Sequence, residues 1–273
     1  MQKTTFALLA LLITLTLCLF LICLGAASTS ESMSKPPYRD SWDDLEIQFK
    51  KTFHSILPHI YVINLKDERG RSRRENLRDH VLKHGVNTIL VAAIDKLETS
   101  DAHDERCALS RHGRRLSSGE VALVKSHSVL YQALLDSDEP YMIIAEDDIC
   151  VDPLFNDRLE YVLDEAPEDF DVIKLEYGDF DPSNVVGVPK DALTFHNGEE
   201  KWVHGSGFYI VSRKGAASIL AGNPPTRSCM ASDGAFDTCL RKEHVYVVDP
   251  PLGWQSAEEH IINSGSHRKT IGN

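Results

Sequence analysis

The chain has 273 residues, 42% of them hydrophobic and 26% charged, which is ordinary for a globular protein. Its net charge of −12 argues against a nucleic-acid polymer as partner, because phosphate binding needs a basic footprint. A single nucleotide held through a metal ion is not excluded, since the cation brings its own positive charge.

In chain order, residues 6–24 form an uncharged apolar run preceded by Lys3. The run is longer than a secretory h-region of roughly 7–15 residues and close to the roughly 20 that span a bilayer. Residues 1–27 are therefore read as a signal anchor with a membrane-spanning helix. Lys3 places the N-terminus in the cytoplasm and the rest of a single-pass protein on the lumenal or exported side, in the ER or Golgi if the cell is eukaryotic. Gly25-Ala26-Ala27 supplies small residues for the alternative, a cleaved signal peptide and a secreted domain. Residues 28–58 follow as a polar linker and a stem helix, in which Trp42, Leu45, Phe49, Phe53 and Ile56 recur at three- and four-residue spacing.

Residues 59–255 alternate strand-like and helix-like segments. Strands are expected at 60–65 (IYVINL), 88–94 (TILVAAI), 141–145 (YMIIA), 171–175 (DVIKL), 208–212 (FYIVS) and 245–248 (VYVV). A helix is expected over 71–83, with Gly85 as its stop. Ser117-x-x-Glu120 is a capping box opening a second helix to about Leu135. Strands separated by helices predict an α/β domain with a mostly parallel central sheet flanked by helices. Ligands on such sheets bind beyond the carboxyl ends of strands. Residues 256–273 read as a polar tail. Of the cysteines, Cys107, Cys150, Cys229 and Cys239 lie outside the apolar run, and three complete pairings are open, Cys229–Cys239 being the most local.

The sharpest chemical feature is Glu146-Asp147-Asp148, which follows directly on the apolar strand at 141–145. Three like charges at a strand end are costly without compensation. Side chains alternate along a strand, so Glu146 and Asp148 are expected on one side, as a metal pair, and Asp147 on the other. Oxygen ligands suit Mn²⁺ or Mg²⁺, which commonly share them with substrate phosphates. A solvated acidic turn is the bland alternative, and similar patterns recur at Asp136-Ser-Asp138, Asp169-Phe-Asp171 and Asp179-Phe-Asp181. Only the triplet at 146–148 follows a buried strand. No G-x-x-x-x-G-K-[ST] phosphate loop is present.

Several segments resemble glycosyltransferase family 25, the group containing bacterial lipooligosaccharide galactosyltransferases and collagen β-galactosyltransferases. They are Ile60-Tyr-Val-Ile-Asn64 through Arg69, Ser118-Gly-Glu-Val121 with Ser126-His127, and Ile143-Ile-Ala-Glu146-Asp147-Asp148-Ile149 with Asp152-Pro153. Phe170–Leu175, Gly207–Ser212 with Gly215-Ala216, and Asp233 before Phe236 complete the set. Two departures are Ala122-Leu123, where members often carry Gly-Cys, and Ala145, where they carry Leu.

The resemblance implies a GT-A-like domain, a UDP-sugar donor (usually UDP-galactose), Mn²⁺ or Mg²⁺, and inversion at the anomeric carbon. The acceptor would be a glycan, glycolipid or protein hydroxyl. Glu146 and Asp148 would hold the metal. Asn64, Arg69, Arg73, Asp95 and Asp147 would meet the nucleotide. Asp233 would be the base, with Glu176 and Asp237 as rivals. A solvated basic face is the alternative for Arg73 and Arg74, a turn cap for Asp95, and a structural hydrogen bond for His127. Lys174 is read as ion-paired, and His204 as a loop histidine. A catalytically inactive, glycan-binding or chaperone-like relative is the competing reading of the whole chain.

Overall fold

A computed structural model describes residues 58–99, 116–177, 186–201 and 204–256. The apolar run, the linker, the stem helix and most of the polar tail lie outside the described residues. Among the described residues no helix is long and apolar enough to cross a membrane.

The chain enters the fold on β1 (Ile60–Asn64). Asp67 then caps α1 (Glu68–His80) by accepting from the Gly70 amide. The helix starts three residues before the expected Arg71, because Asp67 is an N-cap and Gly70 lets the first turn press on the strand end. A Cβ at Gly70 would lie 1.6 Å from the Leu65 carbonyl oxygen. Gly85, in the left-handed region at φ 73, ends the short 3₁₀ turn after α1, where a stop was expected. β2 (Thr88–Ala92) leads towards α2 (Ser118–Asp136), whose capping box has both reciprocal bonds. β3 (Tyr141–Glu146) runs into a two-residue turn and β4 (Ile149–Val151). The remaining elements are α3 (Phe155–Asp164), β5 (Val172–Lys174), β6 (Thr194–Asn197), β7 (Phe208–Ser212), α4 (Arg213–Gly222), α5 (Ser232–Cys239), β8 (Val245–Asp249) and β9 (Gly253–Gln255).

Seven strands form one sheet in the order β2-β1-β3-β7-β5-β8-β6, and β4 pairs with β9 in a separate ribbon. β1 is parallel to both β2 and β3, and β5 is parallel to β8. β7 runs against both of its neighbours, β3 and β5, and β6 runs against β8. The mixed α/β class with a mostly parallel sheet therefore matches the sequence reading, with two reversals. β7 reverses in the middle of the sheet and is the strand that joins its two halves.

Alternation divides the core into two layers. Ile143 and Ala145 of β3 pack with Leu77 of α1, Phe155 and Leu159 of α3, and Ile210 of β7 on one face. Met142 and Ile144 pack with Leu134 of α2, Ile219 of α4 and Phe236 of α5 on the other. Both faces are thus covered, and functional groups are left to the strand ends.

The local cysteine pairing is corrected. Cys229 is disulfide-bonded, whereas Cys239 is a free thiol. The Cys239 sulfur instead fills the gap over Gly222, where an added Cβ would lie 2.5 Å from it.

Candidate active site

The acidic turn lies where β3 leaves the sheet. Glu146 is the last strand residue, and Asp147 and Asp148 form the turn into β4. Strand alternation therefore does not set the direction of all three carboxylates, as the sequence reading had it; the turn and its partners do.

Asp147 faces the β1–α1 side and is 3% exposed. It accepts from Asn64 Nδ2 at 2.6 Å and pairs closely with Arg73 Nη1. Asn64, itself 0% exposed, also donates to the Gly70 carbonyl at 3.1 Å and accepts from Arg74 Nη1 at 2.8 Å. Asn64, Arg73 and Asp147 had been expected at the nucleotide. In the structure they meet one another, and together they brace the acidic turn from below. Burial pushes the Asp147 carboxyl up, and Arg73 and Asn64 pull it back. Arg69 and Asp95 stand on the rim above, joined at 2.9 Å, with Asp67 as the second partner of Arg69. Both remain open enough to meet a ligand.

Asp148 has no such brace. Its Oδ1 is buried and has no hydrogen-bond partner among the described residues. Burial raises its pKa above the usual carboxylate range, and Glu146 adds to the rise. Glu176, two residues past β5, is the third carboxylate of this field. It is 3% exposed and accepts from the Gly207 amide at 3.1 Å. Burial, with Glu146 beside it, pushes its carboxyl up to about 7.

The segment 204–207 is shaped around Glu176. A Cβ on either Gly205 or Gly207 would lie 3.0 Å from Glu176 Oε1, and Gly205 has φ +111, which a side chain would strain. Lys174 Nζ donates to the Gly205 carbonyl at 2.9 Å and lies 5.3 Å above the Phe236 ring. Burial lowers its pKa to about 8, while Glu176 and Asp233 favour its charged form. Lys174 thus ties the 204–207 strap to the electrostatic field of Glu176 and Asp233.

Asp233 sits in the first turn of α5, half-buried. Its Oδ1 accepts from the Gly234 amide at 2.8 Å, and no hydrogen bond to Oδ2 is present among the described residues. Ser232, just before it, meets Ser206 hydroxyl to hydroxyl at 2.5 Å, tying α5 to the strap. The rival Asp237 lies 3.6 Å from Lys242. His204 is exposed.

Sequence reading missed the backbone donors that hold Glu176. The signal was the Gly205-Ser206-Gly207 run before β7, because paired glycines mark close approach to another group. The partnership of Asp147 with Arg73, 74 residues away, left no local signal. Within the loops 99–116 and 180–201, residues 100–115 and 180–185 lie outside the described residues.

The family model for glycosyltransferase family 25 (LPS biosynthesis protein) matches residues 57–221, more than half of the chain. A "Glycosyltransferase 25 family member" of Drosophila pseudoobscura pseudoobscura is 25% identical over 214 residues, covering 75% of this chain and 33% of that protein. One from Aedes aegypti is 26% identical over 179 residues, covering 61% of this chain and 28% of its own length. "Procollagen galactosyltransferase 1" of Danio rerio is 23% identical over 195 residues, covering 66% and 31%. The chain thus spans about a third of the length of these relatives. A solved glycosyltransferase involved in the glycosylation of the major capsid of PBCV-1 aligns at a TM-score of 0.40 and 10% identity, covering 73% of this chain and 93% of that one.

Proposed function

The chain belongs to glycosyltransferase family 25, and from that membership we propose that it transfers a sugar, galactose, from a UDP-sugar to a hydroxyl of a glycan, glycolipid or protein. The domain is read as GT-A-like and the reaction as metal-assisted and inverting. The observation that carries this reading is the buried, unpartnered Oδ1 of Asp148 beside Glu146 at the carboxyl end of β3. A buried charge without a partner is costly, so a group that persists in that state marks a place where something else binds.

Among the described residues no three Asp, Glu, His or Cys side chains are gathered as a complete metal cage. Two carboxylates suit Mn²⁺ or Mg²⁺, which take much of their shell from substrate phosphates and water. Glu146 and Asp148 would hold the ion. When bound, it supplies neutralisation of the charge that develops on the diphosphate leaving group.

The chain's own residues do the rest. Asp148 and Glu146 set the negative end of the site, and the Asn64–Arg73–Asp147 brace fixes the turn that carries them. Arg69, on the rim, offers a fork to phosphate oxygens, and Asp95 offers an acceptor to the ribose or base. Asp233 takes the proton of the acceptor hydroxyl on its open Oδ2 as the new C–O bond forms and the bond to UDP breaks. Glu176, held by the Gly207 amide, is the alternative base. The apolar run at 6–24 would anchor the protein to a membrane with this domain on the lumenal or exported side. Protease protection of the domain in intact vesicles tests that orientation.

Release of UDP from a panel of UDP-sugars, with and without Mn²⁺, tests the reading. UDP-galactose with metal is expected to turn over in the presence of a suitable acceptor and hydrolyse slowly without one. A wild-type chain that neither binds nor turns over any UDP-sugar would instead be a glycan-binding or chaperone-like relative.

A further inference from the structure

Behind Glu146, towards α2 and β7, three buried side chains form a chain that the transfer reading leaves unused. His127 of α2 is 1% exposed. Its Nδ1 lies 2.7 Å from the Tyr209 hydroxyl, and that hydroxyl lies 2.6 Å from the hydroxyl of Tyr131. The imidazole stacks on the Tyr209 ring, centroids 5.8 Å apart, and Phe236 closes on Tyr209 edge-on at 5.0 Å. The other ring nitrogen, Nε2, is buried with no hydrogen-bond partner among the described residues, and lies 3.8 Å from Glu146 Oε1.

The protons of this chain can be placed by elimination. Burial pushes both phenols well above their ordinary value, so each keeps its proton. The Tyr131 hydroxyl has no other hydrogen bond among the described residues, so its proton goes to the Tyr209 oxygen. Tyr209 then donates to His127 Nδ1, which must act as an acceptor. The ring proton is left on Nε2, facing Glu146. The opposite order would strand the Tyr131 proton in an apolar interior, which is the costly arrangement.

We propose that His127, set by Tyr209 and Tyr131, is a positioning residue that presents an Nε2–H to the Glu146 carboxylate and fixes its orientation in the donor site. The separation of 3.8 Å is longer than a hydrogen bond. Glu146 is the partner free to close it, because its side chain is 20% exposed while the imidazole is locked. Such bonds commonly tighten only in the substrate complex. Outer groups of this kind orient a carboxylate that binds a metal, and their loss costs affinity without removing the ligand. The positioning role rests on Glu146 belonging to the donor site; the ring tautomer does not.

Two-bond ¹H–¹⁵N spectra of the ¹⁵N-labelled wild-type protein, with His127→Gln for assignment, read the tautomer directly. A ring protonated on Nε2 and bare at Nδ1 is expected. Tyr209→Phe removes one oxygen from a packed ring. It is expected to disturb that tautomer and to raise the Mn²⁺ concentration needed for UDP-sugar binding by roughly 10-fold or more, with near-UV circular dichroism unchanged. Should Tyr209→Phe fail to fold, the wild-type spectrum alone decides. A proton on Nδ1 in a wild type that binds UDP-sugar overturns this inference and leaves the donor site standing. So does a folded Tyr209→Phe with unaltered Mn²⁺ dependence. A wild type that binds no UDP-sugar at all overturns the donor-site reading and the positioning role with it.

Discussion

On the β1–α1 side of the acidic turn, the charge of Asp147 is met by Arg73 and by the amide of Asn64. On the β5–β7 side, Glu146, Asp148 and Glu176 face one another, with Lys174 as the cation that burial has weakened. The two regions are built from adjacent residues of one motif, yet one is internally neutralised and the other is not. A neutralised carboxylate holds structure together. A carboxylate left uncompensated in a buried place is poised for an external charge. The acidic motif is thus part brace and part binding site, and the division falls between Asp147 and Asp148.

Substitutions can break this division. Asp148→Asn should cut sugar transfer roughly 1,000-fold, because it removes charge aimed at the leaving group. The same change should leave the melting temperature equal or higher, since it removes a carboxyl whose charged form burial and Glu146 disfavour. UDP release and thermal melting on one preparation check both halves. Asp147→Ala should do the reverse in stability, lowering the unfolding free energy by about 4 kcal/mol by taking away the carboxylate of Arg73. Denaturant titration measures that loss, and a double variant Arg73→Met, Asp147→Leu should recover part of it.

How far the sequence revealed this division depends on distance along the chain. β3 and its acidic end were legible because an apolar run and three carboxylates adjoin. The α2 start and the stop at Gly85 were legible because capping is local chemistry. The edge strand β6, with the sequence TFHN, has no apolar alternation, and only its pairing with β8 makes it a strand. The β4–β9 ribbon joins segments about a hundred residues apart and is equally silent. The same reason hid the roles of Asn64 and Asp147. Their types suggested a nucleotide contact, and nothing local in the sequence pointed to their pairing across 83 residues.

Two gentler tests sharpen the contrast. The Glu176 pKa is raised from 4.5 to about 7 in the fold. Between those values the folded state binds more protons than the unfolded one, so stability falls as pH rises through that window. In cation-free protein the loss from this group is at most on the order of 3 kcal/mol between pH 4.5 and 7. Glu176→Gln should flatten that slope in urea unfolding measured across pH. Arg69→Ala should be the mildest change. Its pairs with Asp67 and Asp95 are exposed on the rim, so stability should shift by less than about 1 kcal/mol. If Arg69 meets the donor phosphates, KM for UDP-sugar should rise while kcat holds.

Anomalous diffraction from crystals grown with Mn²⁺ and UDP tests the central division most directly. The account predicts a manganese peak bound by Asp148, with Glu146 beside it, and none at Asp147, whose carboxylate stays with Arg73 and Asn64. UDP bound with manganese on Asp147, or with no manganese at Glu146 and Asp148, would contradict it.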